Sequence, residues 1–163
     1  MLDIISSWIW GLVLIVFTTA IHSSGIALLS LLGTRTKAYL RRRGLHFWGA
    51  IISLTTALAV MGLLLAALHG VEAVLWGGAY LSLGALDTPA EAMLFSVDSM
   101  ATRGASGLTL HQHWQAMGAL EAVAGMLMFG ISTAYMFFVM QLNWSEIQAR
   151  HDAEALNLFS QTQ

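Results

Sequence analysis

The chain has 163 residues, 57% of them hydrophobic and 10% charged, with a formal net charge of −2 and a mean hydropathy of +0.70. A soluble domain of this size carries nearer a quarter charged residues, so an all-α membrane protein is expected. The absence of cysteine excludes disulfides, thiolate chemistry and Cys-based zinc sites.

Residues 4–34 carry no charged side chain, 31 positions in a row. About 20 apolar residues cross the hydrocarbon core, so this run predicts a transmembrane helix with room for tilt. Trp8 and Trp10 are placed at one interface. The N-terminus, Met1-Leu-Asp3, lacks the basic start of a signal peptide and is expected to be retained.

Five of the seven basic residues, Arg35, Lys37, Arg41, Arg42 and Arg43, follow within nine positions. That clustering predicts a cytoplasmic loop under the positive-inside rule, with the N-terminus outside, rather than a nucleic-acid patch. Residues 1–45 thus read as an N-terminal transmembrane helix plus a basic loop.

A second apolar segment starts at His46-Phe-Trp48 and runs to Leu86. Forty residues of helix would be about 60 Å, roughly twice the core, so a tilt, a projection or a kink is expected, with Gly77-Gly78 as the break. Asp87-Thr-Pro89 marks a turn and a new helix start. A third crossing is predicted from about His113 to Leu142, with Trp114 and Trp144 as interface anchors. Residues 143–163 then read as a cytoplasmic, weakly amphipathic tail.

Between the last two crossings lies Met93-Leu-Phe-Ser-Val-Asp-Ser-Met-Ala-Thr-Arg-Gly-Ala-Ser-Gly107. Its first part suits two to three helical turns, and its glycine-bearing second part does not suit a helix interior. Non-helical backbone at membrane depth is tolerated only where it is buried in protein or lines a water-filled path. The expectation is a re-entrant pore loop at 93–107 within a pore module of residues 46–142.

Phe95-Ser96-x-x-Ser99-x-x-Thr102-x-Gly104 resembles the potassium-channel superfamily pore module, in which F-S-x-x-T-x-T precedes T-V-G-Y-G. His69-x-x-Glu72-x-x-x-Trp76-x-x-x-Tyr80-x-x-x-Gly84-Ala-Leu86 is similar to the segment before the pore helix in small bacterial ion channel proteins. Gly118-Ala-Leu-Glu121 and Phe129-Gly-x-Ser132-Thr133-Ala134 are similar to that family's inner helix. The likeness covers roughly residues 60–142. It implies a homotetramer in the lipid bilayer: outer helix, pore helix, filter-like loop and inner helix, passing inorganic ions with no cofactor. Gly118, Gly125 and Gly130 would then be inner-helix hinges, although small residues also serve close packing.

The filter itself departs from that family. Thr102, Arg103, Gly104, Ala105, Ser106 and Gly107 stand where T-V-G-Y-G-D is expected. A potassium filter lines its pore with backbone carbonyls, and Ser106 at a glycine position costs on the order of 1–2 kcal/mol if φ is positive. The expectation is an altered filter without potassium selectivity. Arg103 needs a partner if it faces protein, and depth arithmetic offers Glu72, Asp98 and Glu121 as a supporting charge cluster. The other arrangements are a ring of four Arg103 side chains, favouring anions, and a carboxylate-lined cation or proton path.

Counted from their helices' inner ends, His22 and His69 differ in height by roughly 18 Å. That separation disfavours a bis-histidine haem and hence a small redox or quinone-binding enzyme. His111-x-His113 reads as a solvated turn, or alternatively as a weak metal site or proton sensor. His69 and Glu72 share a helix face and are expected to make a structural hydrogen bond. No nucleophile or metal-ligand motif accompanies the acids, so no enzyme is expected. The alternative to an ion channel is a non-conducting structural or accessory membrane subunit that keeps the scaffold.

Overall fold

The computed structural model describes residues 2–43, 46–104 and 107–161. Among these the chain is all-helical: α1 (Leu2–Arg43), α2 (Phe47–Ser82), α3 (Pro89–Met100) and α4 (Gln115–Gln161), with a short 3₁₀ turn at Gln112–Trp114 before α4. Three of the helices, α1, α2 and α4, contain stretches long and apolar enough to cross a membrane: Ile5–Arg35, Phe47–Ser82 and Gln115–Ala153. α3, at 12 residues, is about 18 Å long and too short to cross.

Two expected boundaries move. The basic residues 35–43 continue α1 as helix instead of forming a loop, and the charged tail continues α4 to Gln161. The expected break at Gly77-Gly78 is absent, because α2 is continuous to Ser82. Gly77 serves packing instead. A Cβ there would stand 3.3 Å from the Ala92 carbonyl oxygen, so glycine lets the start of α3 lie directly on α2.

The helices fall into two compact units, Met1–Gly25 with Ala66–Ser132, and Ile26–Leu65 with Thr133–Gln163. In the first unit, Trp76, Tyr80, Ala92, Leu110, Trp114 and Met117 are the heart of a buried cluster. Trp114 is therefore core and not an interface anchor, whereas Trp144 is half exposed. The α1 segment of this unit is built into it: Ser7 Oγ accepts from the Met117 N–H at 3.1 Å, satisfying one of the donors that the first turn of α4 leaves unpaired. The second unit packs Leu29, Met61, Leu65, Tyr135 and Val139 together, and separately Ala50, Leu54 and Ile147.

α3 begins as its sequence dictates. Thr88 is the N-cap, its side-chain oxygen 3.2 Å from the Glu91 N–H, and Pro89 occupies the first helical position, where its missing N–H costs nothing.

Candidate functional site

The C-terminus of α3 and the backbone that follows it form the most unusual part of the chain. Thr102 N–H donates to the Ser99 carbonyl at 2.9 Å, and Arg103 N–H to the Asp98 carbonyl at 3.0 Å. This nested pair of bonds closes a helix through a residue in the left-handed conformation, a position that glycine usually fills. Here Thr102 fills it, with φ 54, the only non-glycine with positive φ among the described residues. A β-branched residue there is strained by about 1–3 kcal/mol. Gly104 (φ 70) and Gly107 (φ 80) continue the positive-φ backbone. Thr102, Arg103, Gly104 and Gly107 are all exposed; Ala105 and Ser106 lie outside the described residues.

Of the three carboxylates expected around Arg103, Asp98 is the one beside it. Arg103 Nη1 stands 3.3 Å from Asp98 Oδ1, with the Asp98 side chain 2% exposed and that of Arg103 72% exposed. The guanidinium thus reaches out of the protein while touching a buried acid, so neither a fully buried pair nor a free cation describes it.

Glu121, on α4, belongs to a different arrangement. Tyr80 Oη donates to its Oε2 at 2.6 Å, and Ser96 Oγ contacts its Oε1. Ser96 Oγ also donates to the Ala73 carbonyl at 2.9 Å, and Ser99 Oγ donates to the Gly118 carbonyl at 2.9 Å. These bonds tie α3 to α2 on one side and to α4 on the other. Tyr80, Ser96 and Glu121 are completely buried.

The α4 glycines divide. A Cβ on Gly125 would overlap the Met100 backbone, and one on Gly118 would stand 3.0 Å from the Phe95 ring. Gly130 has open space around it. Gly118 and Gly125 therefore let α3 seat against α4.

Glu72 lies in a third constellation. Its Oε1 is 2.8 Å from His22 Nδ1 and its Oε2 is 3.3 Å from His69 Nδ1. The two imidazole centroids are 4.9 Å apart, which overturns the expected 18 Å separation. The larger figure holds only for a first helix that ends near Gly33. Because α1 runs on to Arg43, His22 sits 21 residues before its end and His69 sits 22 residues after the start of α2, almost level at about 1.5 Å per residue. Ser132 Oγ lies 2.9 Å from His22 Nε2 and 3.5 Å from His69 Nε2.

His22, Tyr80 and Ser132 thus join sites that spacing alone assigned to acids. A signal existed for His22, the one titratable side chain in the uncharged run 4–34. His111 has a structural role. Its N–H donates to the Ala85 carbonyl at 3.3 Å and its ring Nδ1 lies 2.8 Å from the Gly84 carbonyl, fastening the incoming loop to the turn after α2. His113 is exposed.

The chain matches no family model, no curated protein and no solved structure.

Proposed function

We propose that the chain is an ion-channel-like integral membrane protein that passes ions passively through a homotetrameric pore, with Thr102–Gly107 as its constriction. The observation that carries this reading is the exposed, left-handed backbone after α3, held between two helices of membrane-crossing length. A single chain leaves its polar groups uncovered. In a bilayer such backbone is stable only against protein or water, and symmetric copies around an axis supply both. The side-chain bonds from Ser96, Ser99 and Tyr80 support the same reading, since a constriction has to be held in place by packed neighbours.

The pore differs from a potassium filter. Thr102 serves as a helix-terminating residue, and each subunit contributes an outward-reaching Arg103 with a buried Asp98 behind it. Four such pairs tune the passage electrostatically instead of offering successive rings of carbonyls. The basic end of α1 faces the cytoplasm under the positive-inside rule, which puts the N-terminus outside and the C-terminus inside.

The test is flux through liposomes carrying the purified chain, with potassium, sodium and chloride gradients imposed separately. Flux that changes its ion preference in Arg103→Ala or Asp98→Asn supports the reading. No flux in any gradient, from protein shown to be folded and tetrameric, replaces it with a non-conducting accessory subunit.

A further inference from the structure

We infer that His22, His69 and Glu72 form a binding site for one transition-metal ion of the zinc class. The inference is independent of ion permeation, because none of the three residues belongs to the filter-like loop.

One ligand atom from each residue falls within 4.8 Å of the others. His22 and Glu72 are completely buried and His69 is 28% exposed. Ligands held tetrahedrally at about 2.0–2.2 Å from a metal stand roughly 3.3–3.5 Å apart. The carboxylate oxygens stand 2.8 and 3.3 Å from the two Nδ1 atoms, so binding an ion requires the three side chains to readjust from their present contacts.

The hydrogen-bond partners are compatible with metal ligation. Both Nδ1 atoms face Glu72 and both Nε2 atoms face Ser132. A neutral imidazole carries one N–H and one lone pair, and a hydroxyl oxygen has two lone pairs. With the protons on Nε2, Ser132 accepts from both rings. In that tautomer two Nδ1 lone pairs and a carboxylate are left to ligate one ion, whereas with the protons on Nδ1 the same groups close as imidazole–carboxylate hydrogen bonds. The partner on the remote ring nitrogen is what fixes the tautomer of a metal-ligating histidine.

Glu72 Oε2 is buried, with His69 Nδ1 3.3 Å away as its polar neighbour. A buried carboxylate on an apolar helix needs such partners, and a metal ion held between it and the two imidazoles is one way to supply them.

The donor set selects the ion. Two imidazoles and one carboxylate suit zinc and its neighbours, whereas calcium and magnesium take oxygen ligands. Three protein ligands leave a fourth position for water or a small ligand. His69 also lines an apolar cavity of about 320 Å³ whose walls include Ala66, Ala73, Val97 and Phe129.

The experiment uses full-length protein in detergent, stripped with a chelator and titrated with zinc chloride. His46, His113 and His151 are replaced by glutamine, and His111, which fastens the loop after α2, is kept. One zinc bound per chain, lost in His22→Ala and Glu72→Gln and weakened about tenfold in Ser132→Ala, supports the site. X-ray absorption of the zinc-loaded protein with His22, His69 and Glu72 intact keeps the test decisive if the ligand variants do not fold. Two imidazoles at about 2.0–2.1 Å plus oxygen support it. No saturable zinc, binding unchanged in His22→Ala and Glu72→Gln, or fewer than two imidazoles in the zinc shell overturns it.

Discussion

Thr102 is a β-branched residue at φ 54, and its strain is offset by the two backbone bonds that terminate α3. Thr102→Gly removes the Cβ conflict. It is expected to stabilise the folded protein by about 1–2 kcal/mol, read as a higher unfolding temperature in detergent; a lower one would show that the hydroxyl has a bonding role. Tyr80→Phe has the opposite sign. It deprives the fully buried Glu121 of a 2.6 Å donor and should cost about 1–3 kcal/mol, with an unchanged melting temperature counting against the Tyr80–Glu121 bond. Neither the left-handed Thr102 nor the Tyr80–Glu121 bond was visible in the sequence. Backbone φ depends on how the helix closes, and the bond joins residues 41 positions apart.

At the scale of elements, short-range chemistry was the most legible. Thr88 and Pro89 announced the start of α3, and the uncharged runs announced α1, α2 and α4. Glycines were ambiguous because the same residue serves a kink, a hinge or a close approach. Gly77 proved to be a seat for Ala92 on an unbroken helix. The same logic separates two positions on α4. Gly125→Ala drives a methyl group into the Met100 backbone and should cost about 1–3 kcal/mol or more by overpacking, seen as loss of folded protein. Gly130→Ala meets nothing within 4 Å and is expected to be neutral or to stabilise by up to about 1 kcal/mol. If Gly130→Ala abolished flux while leaving stability intact, Gly130 would be a hinge after all. Helix ends were the least legible feature. Charged residues 35–43 and 143–161 continue their helices, since arginine, lysine, glutamate and glutamine are good helix formers and polarity alone does not end a helix.

For the whole molecule, the sequence carried its membrane-crossing content but not the meeting of its polar residues. His22, His69 and Glu72 come from α1 and α2, and Ser132 from α4. An error of about ten residues in the end of α1, some 15 Å of helix, was enough to place the two histidines far apart. Charge spacing grouped Glu72, Asp98 and Glu121, whereas the fold gives each its own partners: imidazoles for Glu72, a guanidinium for Asp98, hydroxyls for Glu121.

Because the chain contains no cysteine, one introduced thiol reports on one position. Arg103→Cys places it at a side-chain position that is largely exposed, and Leu156→Cys places a control on the exposed tail of α4. With both variants in liposomes, a charged thiosulfonate reagent is expected to block ion flux through Arg103→Cys protein and to leave flux through Leu156→Cys protein unchanged. Flux through Arg103→Cys protein that persists after complete modification would contradict a constriction built from Thr102–Gly107.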